Sequence, residues 1–384
     1  MNVGFMRSVD RYLGLPLCWF MGVLQPFLRR PDRGEVKNIL VIKFFGLGSI
    51  LLSTPALELI RHAYPSARIT YLSFTTNREL LQRIPLIDDS ITLDASGISS
   101  LVRDLPKILS YLRSIPYDIV FDLEFFAKFS TLLSAWTGAP RRVGFELPTR
   151  WRKMLVTHHI PLTKAKHVTH AFCDQIEAVA GKQTHAPNIC APVTNNTDAE
   201  TLHKKLPSGH ASFISVNVNA ADTFLERRWQ PEKYSELIKD AASRSSYIFY
   251  FTGTHKERPY VQHIIDMLDA ETRTRCHNLA GTLTIPEFMQ FLRESVCLIS
   301  GDSGPVHLAA AFGTPVVALY GPESPNFYGP LGARTATIYK AIECSPCMNV
   351  YDAKAFRCPF NARCMQEIQV EQVERAVEQL GVLD

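Results

Sequence analysis

With 384 residues, 46% hydrophobic and 20% charged, the chain has enough apolar material for two ordinary cores and is not a disordered sequence. Its formal charge of +4 is unevenly spread: residues 1–195 carry 23 Lys and Arg against 15 Asp and Glu, and residues 196–384 carry 18 against 22. The basic clusters at Arg141–Arg142 and Arg150–Lys153 are too sparse for a nucleic-acid stripe and no recognition motif accompanies them, which leaves a phosphorylated acceptor, an acidic membrane surface or a solvated basic face.

The first segment, residues 1–37, holds 17 uncharged residues between Arg11 and Arg29, almost wholly apolar from Leu13 to Leu24 and interrupted by Pro16 and Pro26. A bilayer-spanning helix needs about 20 apolar residues, so this run is too short and too broken to span. It ends in "PFLRRPDR" and not in a small-x-small cleavage site, so no cleavable signal is expected and the chain is placed in the cytoplasm. Apolar in the middle with arginines at both ends, it reads as a segment lying on the anionic inner face of the cytoplasmic membrane, or as a helix packed on the domain behind it.

From Asn38 onward strands and helices alternate. "NILVIK" reads as a buried strand, followed by a helix from Ser49 to Tyr64, the strand "ARITYLS", the strand "SITL", a helix through "LVRDLPKILSYLRS", the strand "YDIVFDL" and a helix over 129–137. The second half repeats the plan with "SFISVNV", "YIFYFTG", "CHNLAG", "VCLISGD" and "PVVALYG" as strands between helical patterns. Such alternation predicts parallel sheets covered by helices on both faces. The polar stretch "APVTNNTDAETLHKKLPSGH" separates a first domain, 38–195, from a second, 196–365, with the amphipathic "IQVEQVERAVEQL" in a last segment, 366–384. Ligands of such sheets bind beyond the strand carboxyl ends, which for two facing domains means a cleft between them.

The ends of the second-domain strands carry the most telling residues. "LISGDSGPVHLAAAFGTPVVALYGP" places Asp302, Ser303 and Gly304 where a strand turns into a helix, with Pro305 in its first turn. Main-chain N–H groups at such a turn form a phosphate site, and His307 can reach the same anion as a donor.

At this point the sequence resembles the heptosyltransferases of lipopolysaccharide core synthesis, glycosyltransferase family 9. The resemblance is carried by "DSGPVHLAAAFGTPVVALYGPESPNFYGP", by "ERRWQPEKYSEL", by "NLAGTLTIPEF" and by "GLGSILLSTPAL" near the front. It implies the GT-B fold, two doubly wound Rossmann-like domains facing across a cleft, with the sugar nucleotide held by the second and the acceptor by the first. In such folds the last helix often crosses back to the first domain. Carried over, Asp302, Ser303, Gly304 and His307 would contact the donor diphosphate and ribose. Arg227 stands where the family usually has a lysine facing the phosphates, keeping the charge and adding a bidentate fork. Gly253 and Thr254 open a loop resembling the nucleoside-binding edge, and Trp229 reads as a packing residue. No Asp-x-Asp metal motif is evident, which agrees with a metal-independent reaction in which helix dipole and arginine meet the leaving diphosphate.

The departure lies in "VIKFFGLGSILLSTPAL". Gly46 and Gly48 mark the acceptor-side turn, but Ser49 stands where the family usually has the aspartate taken as catalytic base. A serine hydroxyl without its own base cannot take a proton near neutral pH. "IVFDLEFFAKFS" supplies two carboxylates at a strand end, Asp122 and Glu124, on one side of the chain. Glu124 lies farther out, with aromatics after it, and is the favoured base, whereas Asp122 suits a cap on the following turn. His158, His159, His167 and His170 are weaker alternatives.

In the Cys-rich loop 344–364, "CSPCMNVYDAKAFRCPFNARCM" spaces Cys344, Cys347, Cys358 and Cys364 by two, ten and five residues. Structural zinc, free or redox-active thiols, and an iron–sulfur cluster are all compatible with that pattern. Together these features point to a membrane-associated inverting glycosyltransferase moving a sugar, a heptose from ADP-heptose, onto a lipid-linked, phosphorylated or lipopolysaccharide-core saccharide. The alternatives are a non-catalytic nucleotide-sugar-binding partner of a transferase and a GT-B-fold sugar-nucleotide epimerase.

Overall fold

In the computed structural model, which describes residues 10, 12–125, 127–146, 150–163, 165–181, 188–207, 211–220, 224–348 and 357–383, the buried apolar runs become parallel strands. The chain divides into two units, Met1–Cys190 and Ala191–Asp384.

In chain order the first unit contains α1 (Gly14–Leu28), β1 (Asn38–Ile42), α2 (Leu47–Leu51), α3 (Thr54–Ala63), β2 (Arg68–Phe74), β3 (Asp89–Leu93), α4 (Ile98–Ser114), β4 (Ile119–Asp122), α5 (Lys128–Trp136), β5 (Arg141–Glu146), β6 (His158–Pro161) and α6 (Val168–Ala180). The strands form one parallel sheet in the order β3-β2-β1-β4-β5-β6. Leu40, Ile42, Leu72, Val120 and Leu133 are completely or almost completely buried in the core on one face. The single helix expected over 49–64 is two, because Pro55 lacks the N–H that would continue the ladder and α3 restarts at Thr54. The hydroxyls of Ser53 and Thr54 bond back to Ile50 O and Leu51 O, both at 2.7 Å, across the break.

The second unit contains α7 (Asn196–His203), β7 (Phe213–Asn217), α8 (Pro231–Arg244), β8 (Ile248–Phe251), α9 (Arg258–Asp266), β9 (Cys276–Asn278), α10 (Ile285–Glu294), β10 (Cys297–Gly301), α11 (Gly304–Ala311), β11 (Val316–Tyr320), β12 (Thr335–Tyr339) and α12 (Val370–Gln379). Its sheet runs β12-β11-β10-β7-β8-β9, again fully parallel. Both sheets therefore follow the doubly wound order in which the first strand lies beside the fourth. The switch points, β1/β4 and β7/β10, are where such sheets bind ligands.

The join between the units lies earlier in the chain than expected. The polar stretch after Cys190 belongs to the second unit, ahead of the 195/196 join: Asn195 caps α7 through Asp198 N at 2.9 Å, and Thr194 Oγ1 accepts from Arg293 at 2.8 Å. The last helix, α12, is part of the second unit. Its apolar stripe of Val370, Val373, Ala376 and Val377 joins the core formed by Trp229, Leu237 and Ile238, and Arg244 of α8 pairs with Glu378. Within the first segment α1 packs on α5: Cys18 shares a cluster with Ala135 and Leu155, and Gln25 Nε2 donates to Ala135 O at 3.2 Å. Among the described residues no helix is long and apolar enough to cross a membrane.

Candidate functional site

At the first switch point β1 runs directly into Lys43, Phe44 and Phe45, and β4 into Leu123 and Glu124. Glu124 is buried at 5% exposure, and its Oε1 accepts from Lys43 Nζ at 3.0 Å, Phe44 N at 2.7 Å and Phe45 N at 3.0 Å. The carboxylate thus ties β4 to β1 across the switch point, and all three of these bonds fall on one oxygen. Lys43, also buried, balances its charge. The turn that follows bends at Gly46, whose φ of +83° favours glycine, and enters α2 with Gly48 buried and Ser49 half-buried. Ser49 Oγ folds back to within 3.2 Å of where a Cβ on Gly46 would stand.

Asp122 lies at the end of β4 and is completely buried. Its Oδ2 accepts from Arg152 Nη2 at 2.7 Å and Thr131 Oγ1 at 2.8 Å, while its Oδ1 accepts from Glu124 N at 3.2 Å. Enclosed on every side, it holds the turn that carries Glu124. Arg152 also donates to Glu124 O at 2.9 Å and Phe125 O at 3.0 Å, so this member of the basic 150–153 cluster braces the interior. Arg142 does the same, donating to Leu155 O at 2.7 Å and Ala139 O at 2.5 Å.

Burial pushes the Asp122 carboxyl above its usual range, opposed chiefly by the Arg152 guanidinium. Replacing Arg152 by Met is expected to destabilise the first unit by about 3–5 kcal/mol at neutral pH, because a buried charge loses its partner. A carboxyl raised in the folded state is protonated in both states below about pH 4, and its stability contribution is lost as pH rises through the folded value. The gap in melting temperature between wild type and Arg152→Met should therefore widen between about pH 4 and pH 7, and a constant gap would contradict this account.

Among the histidines, His167 caps α6, its Nδ1 accepting from Thr169 N at 3.3 Å. Burial lowers the pKa of both His158 and His159, and His158 Nδ1 lies 2.9 Å from Thr157 Oγ1.

At the second switch point the polar ends of β7 and β10 are laced together. Asn217 Nδ2 donates to Ser300 Oγ at 3.1 Å and Ser303 Oγ at 3.0 Å, and Asn219 Nδ2 donates to Asn217 Oδ1 at 3.2 Å and Thr252 O at 2.8 Å. Ser303 is the N-cap residue of α11, but its hydroxyl turns to Gly301 O at 3.1 Å and does not cap the helix. The first amides of α11 therefore carry no side-chain cap, with Gly304 and Pro305 opening the helix and His307 buried one turn in. Arg227 Nη1 stands 3.2 Å from Asp302 Oδ2 at the same turn, and its guanidinium lies 4.9 Å from the Phe224 ring. Burial raises the Asp302 carboxyl and Arg227 opposes that rise. The phenol of Tyr320, at the end of β11, is pushed up by burial and by Asp302.

Gly253 is required by close approach: a Cβ there would lie 2.5 Å from Asn219 Nδ2. Thr254 caps the next turn, its N and Oγ1 both donating to Glu257 Oε2 at 2.7 and 2.8 Å. Trp229 packs, with its indole N–H on Ile368 O at 3.1 Å and its ring edge-on to Tyr234.

The zinc reading of the four cysteines is not supported. All four are free, and among the described residues no three His, Cys, Asp or Glu side chains are placed to share a metal ion. Burial and the neighbouring thiols push Cys347 and Cys364 up to about 11. Residues 349–356, between the two pairs, lie outside the described residues.

Lys43, Asn217, Asn219 and Arg152 bond to or beside the candidate residues, and motif reading passes over them. The signal for the first three was present: a charged or amide residue ending an otherwise buried strand, as in "ILVIK" and "SVNVN". Arg152 gave no such signal, since its partner is 30 residues away.

The fold is shared with known proteins. Lipopolysaccharide heptosyltransferase 2 of Escherichia coli strain K12 is 26% identical over 309 residues, spanning 78% of this chain and 87% of that protein. The solved structure of E. coli ADP-heptose lipopolysaccharide heptosyltransferase II is similar in fold, with a TM-score of 0.73 at 22% identity over 89% of this chain and 98% of the other. A family 9 glycosyltransferase from Veillonella parvula also gives 0.73 at 22% identity, over 90% and 97%. The model of glycosyltransferase family 9 (heptosyltransferase) matches residues 106–355, from the middle of α4 to beyond β12, and the chain belongs to that family.

Proposed function

We propose that this chain is an inverting glycosyltransferase that moves a heptose from ADP-heptose onto a lipopolysaccharide-core or other lipid-linked saccharide, working peripherally at the inner face of the cytoplasmic membrane. The observation that carries this reading is Arg227 held by Asp302 at the uncapped start of α11, in a member of the heptosyltransferase family. The amides of Ser303 and Gly304 and the Arg227 fork receive the diphosphate, with His307 behind them. They thereby supply the positive charge that the leaving ADP needs, without calling on a metal ion. The loop at Gly253 and Thr254 forms the nucleoside edge.

In the first unit the turn at Gly46 and Gly48 takes the acceptor. The acceptor hydroxyl attacks the anomeric carbon, the bond from that carbon to the ADP oxygen breaks, and the hydroxyl proton passes to a carboxylate. Glu124 takes that part: Oε1 is fixed by Lys43 and two main-chain donors, and Oε2 is the oxygen that would accept the proton. Ser49 serves as a hydrogen-bonding residue in the turn at Gly46 and Gly48.

The test is incubation of the purified chain with ADP-heptose and truncated lipopolysaccharide cores, followed by mass spectrometry. The expected result is an acceptor heavier by one heptose with release of ADP. Donor binding without transfer or ADP release on any core would instead support the non-catalytic partner reading, and an altered sugar nucleotide without acceptor the epimerase reading.

A further inference from the structure

Helix α1 is apolar on both sides, and the larger side chains are on the outside. The face packed on the first unit presents Gly14, Cys18 and Gln25, whereas Leu13, Leu17, Trp19, Phe20, Val23 and Phe27 point away from it. Trp19 is 62%, Phe20 63% and Phe27 83% exposed. An all-apolar helix is expected to be covered on every side, and here one face is not covered by the chain's own described residues.

The helix end names what covers it. Arg29, Arg30 and Arg33 follow α1 directly, and Arg113 and Arg141 crowd the same corner. Several of these guanidiniums are bonded to carbonyl groups, which leaves their charge unneutralised: Arg29 on Pro140 O at 3.4 Å, Arg30 on Ile115 O at 2.7 Å, Arg113 on Leu28 O at 2.9 Å. Asp32 faces Arg141 at 3.3 Å. Arg30 is pushed down by burial and by Arg113 and Arg33, as expected where like charges gather. Exposed aromatic and aliphatic residues ending in a cluster of arginines are complementary to an anionic bilayer, apolar tails beneath and phosphates at the rim.

The placement of α1 also fixes an orientation. Its start is tied to the start of α5, where Phe129 N donates to Asp10 Oδ1 at 2.9 Å, and its end to the end of α5, where Arg30 N donates to Gly138 O at 2.8 Å. The two helices therefore run side by side in the same direction, back against β4. We infer that α1 is an in-plane docking helix that lays the strands of the first unit along the surface of an anionic membrane, with their carboxyl ends opening sideways beside its N-terminal end. Two helix layers, each about 10 Å thick, then stand between the lipid and the sheet, so an acceptor reaches Glu124 along the membrane and well above the acyl chains.

This inference rests on the membrane-surface reading above and refines it. The test uses the full chain with vesicles of phosphatidylcholine alone or mixed with phosphatidylglycerol, some carrying brominated acyl chains. Binding is expected to need phosphatidylglycerol and to weaken with salt. Trp19 emission, taken as the difference from Trp19→Phe, should be quenched by the bromine. Phe20→Ser with Phe27→Ser, both exposed and so harmless to folding, should weaken binding about tenfold or more. Binding that survives these substitutions with Trp19 unquenched overturns the role of α1 and leaves membrane association standing. No binding to either vesicle overturns both. A dimer that dissociates on the same substitutions would make a second copy, and not lipid, the cover of this face.

Discussion

Replacing Glu124 by Gln is expected to lower kcat about 10²- to 10⁴-fold with little change in KM for ADP-heptose, the loss typical of removing a positioned general base. Glutamine keeps the size and an acceptor oxygen for Phe44 N and Phe45 N, so the turn into α2 should survive. What it loses is the negative charge, and Lys43 is then buried without its partner. A fall in activity from that cause alone would be structural. The double variant Glu124→Gln with Lys43→Met separates the two causes. If Glu124 accepts the proton, the double variant recovers stability but stays inactive. If Glu124 only braces β1 against β4, the double variant recovers both, and the base must be sought elsewhere. The same pair should show the coupling expected of residues in contact.

The sequence announces the doubly wound architecture because fully buried parallel strands read as unbroken apolar runs, as "ILVI" and "VVALY" do. The strands it conceals carry charged residues or proline, or lie half-exposed. β6, "HHIP", is an edge strand in which proline is tolerated, β5 opens on two arginines, and β12, "TATIY", is half-exposed. The turn at 302–307, the proposed phosphate site, is equally legible, since a strand-to-helix turn is local in sequence. The first switch point is not, because Glu124 meets Lys43 across 81 residues and Asp122 meets Arg152 across 30. Period-2 alternation puts Asp122 and Glu124 on one side of the chain, yet tertiary packing gives them different surroundings: one is sealed by Arg152 and Thr131, the other is tied to β1 by a single oxygen. The last helix is legible only in part for a similar reason. Its stripe of Val370, Val373, Ala376 and Val377 declares that it must pack, but only the tertiary fold sets Trp229 and Leu237 and Ile238 of α8 against it.

Replacing Arg227 by Ala should lower kcat/KM for ADP-heptose about 10²- to 10³-fold, the scale of losing one preorganised donor to developing negative charge. Its guanidinium is 19% exposed, held beside Asp302 and stacked near Phe224, so it meets a diphosphate with little reorganisation. Lysine at this position would keep the charge but not the fork and should recover only part of the loss. Removing Arg227 also leaves Asp302 buried with its main opposing charge gone, which raises the carboxyl further and destabilises the second unit as pH rises. Arg227→Met with Asp302→Asn answers that objection, since it removes both charges together. This double variant should melt near the wild-type temperature while donor binding, measured by calorimetry with ADP, stays weak. Full ADP affinity in the double variant would mean that the α11 amides hold the diphosphate alone and that Arg227 serves only to neutralise Asp302.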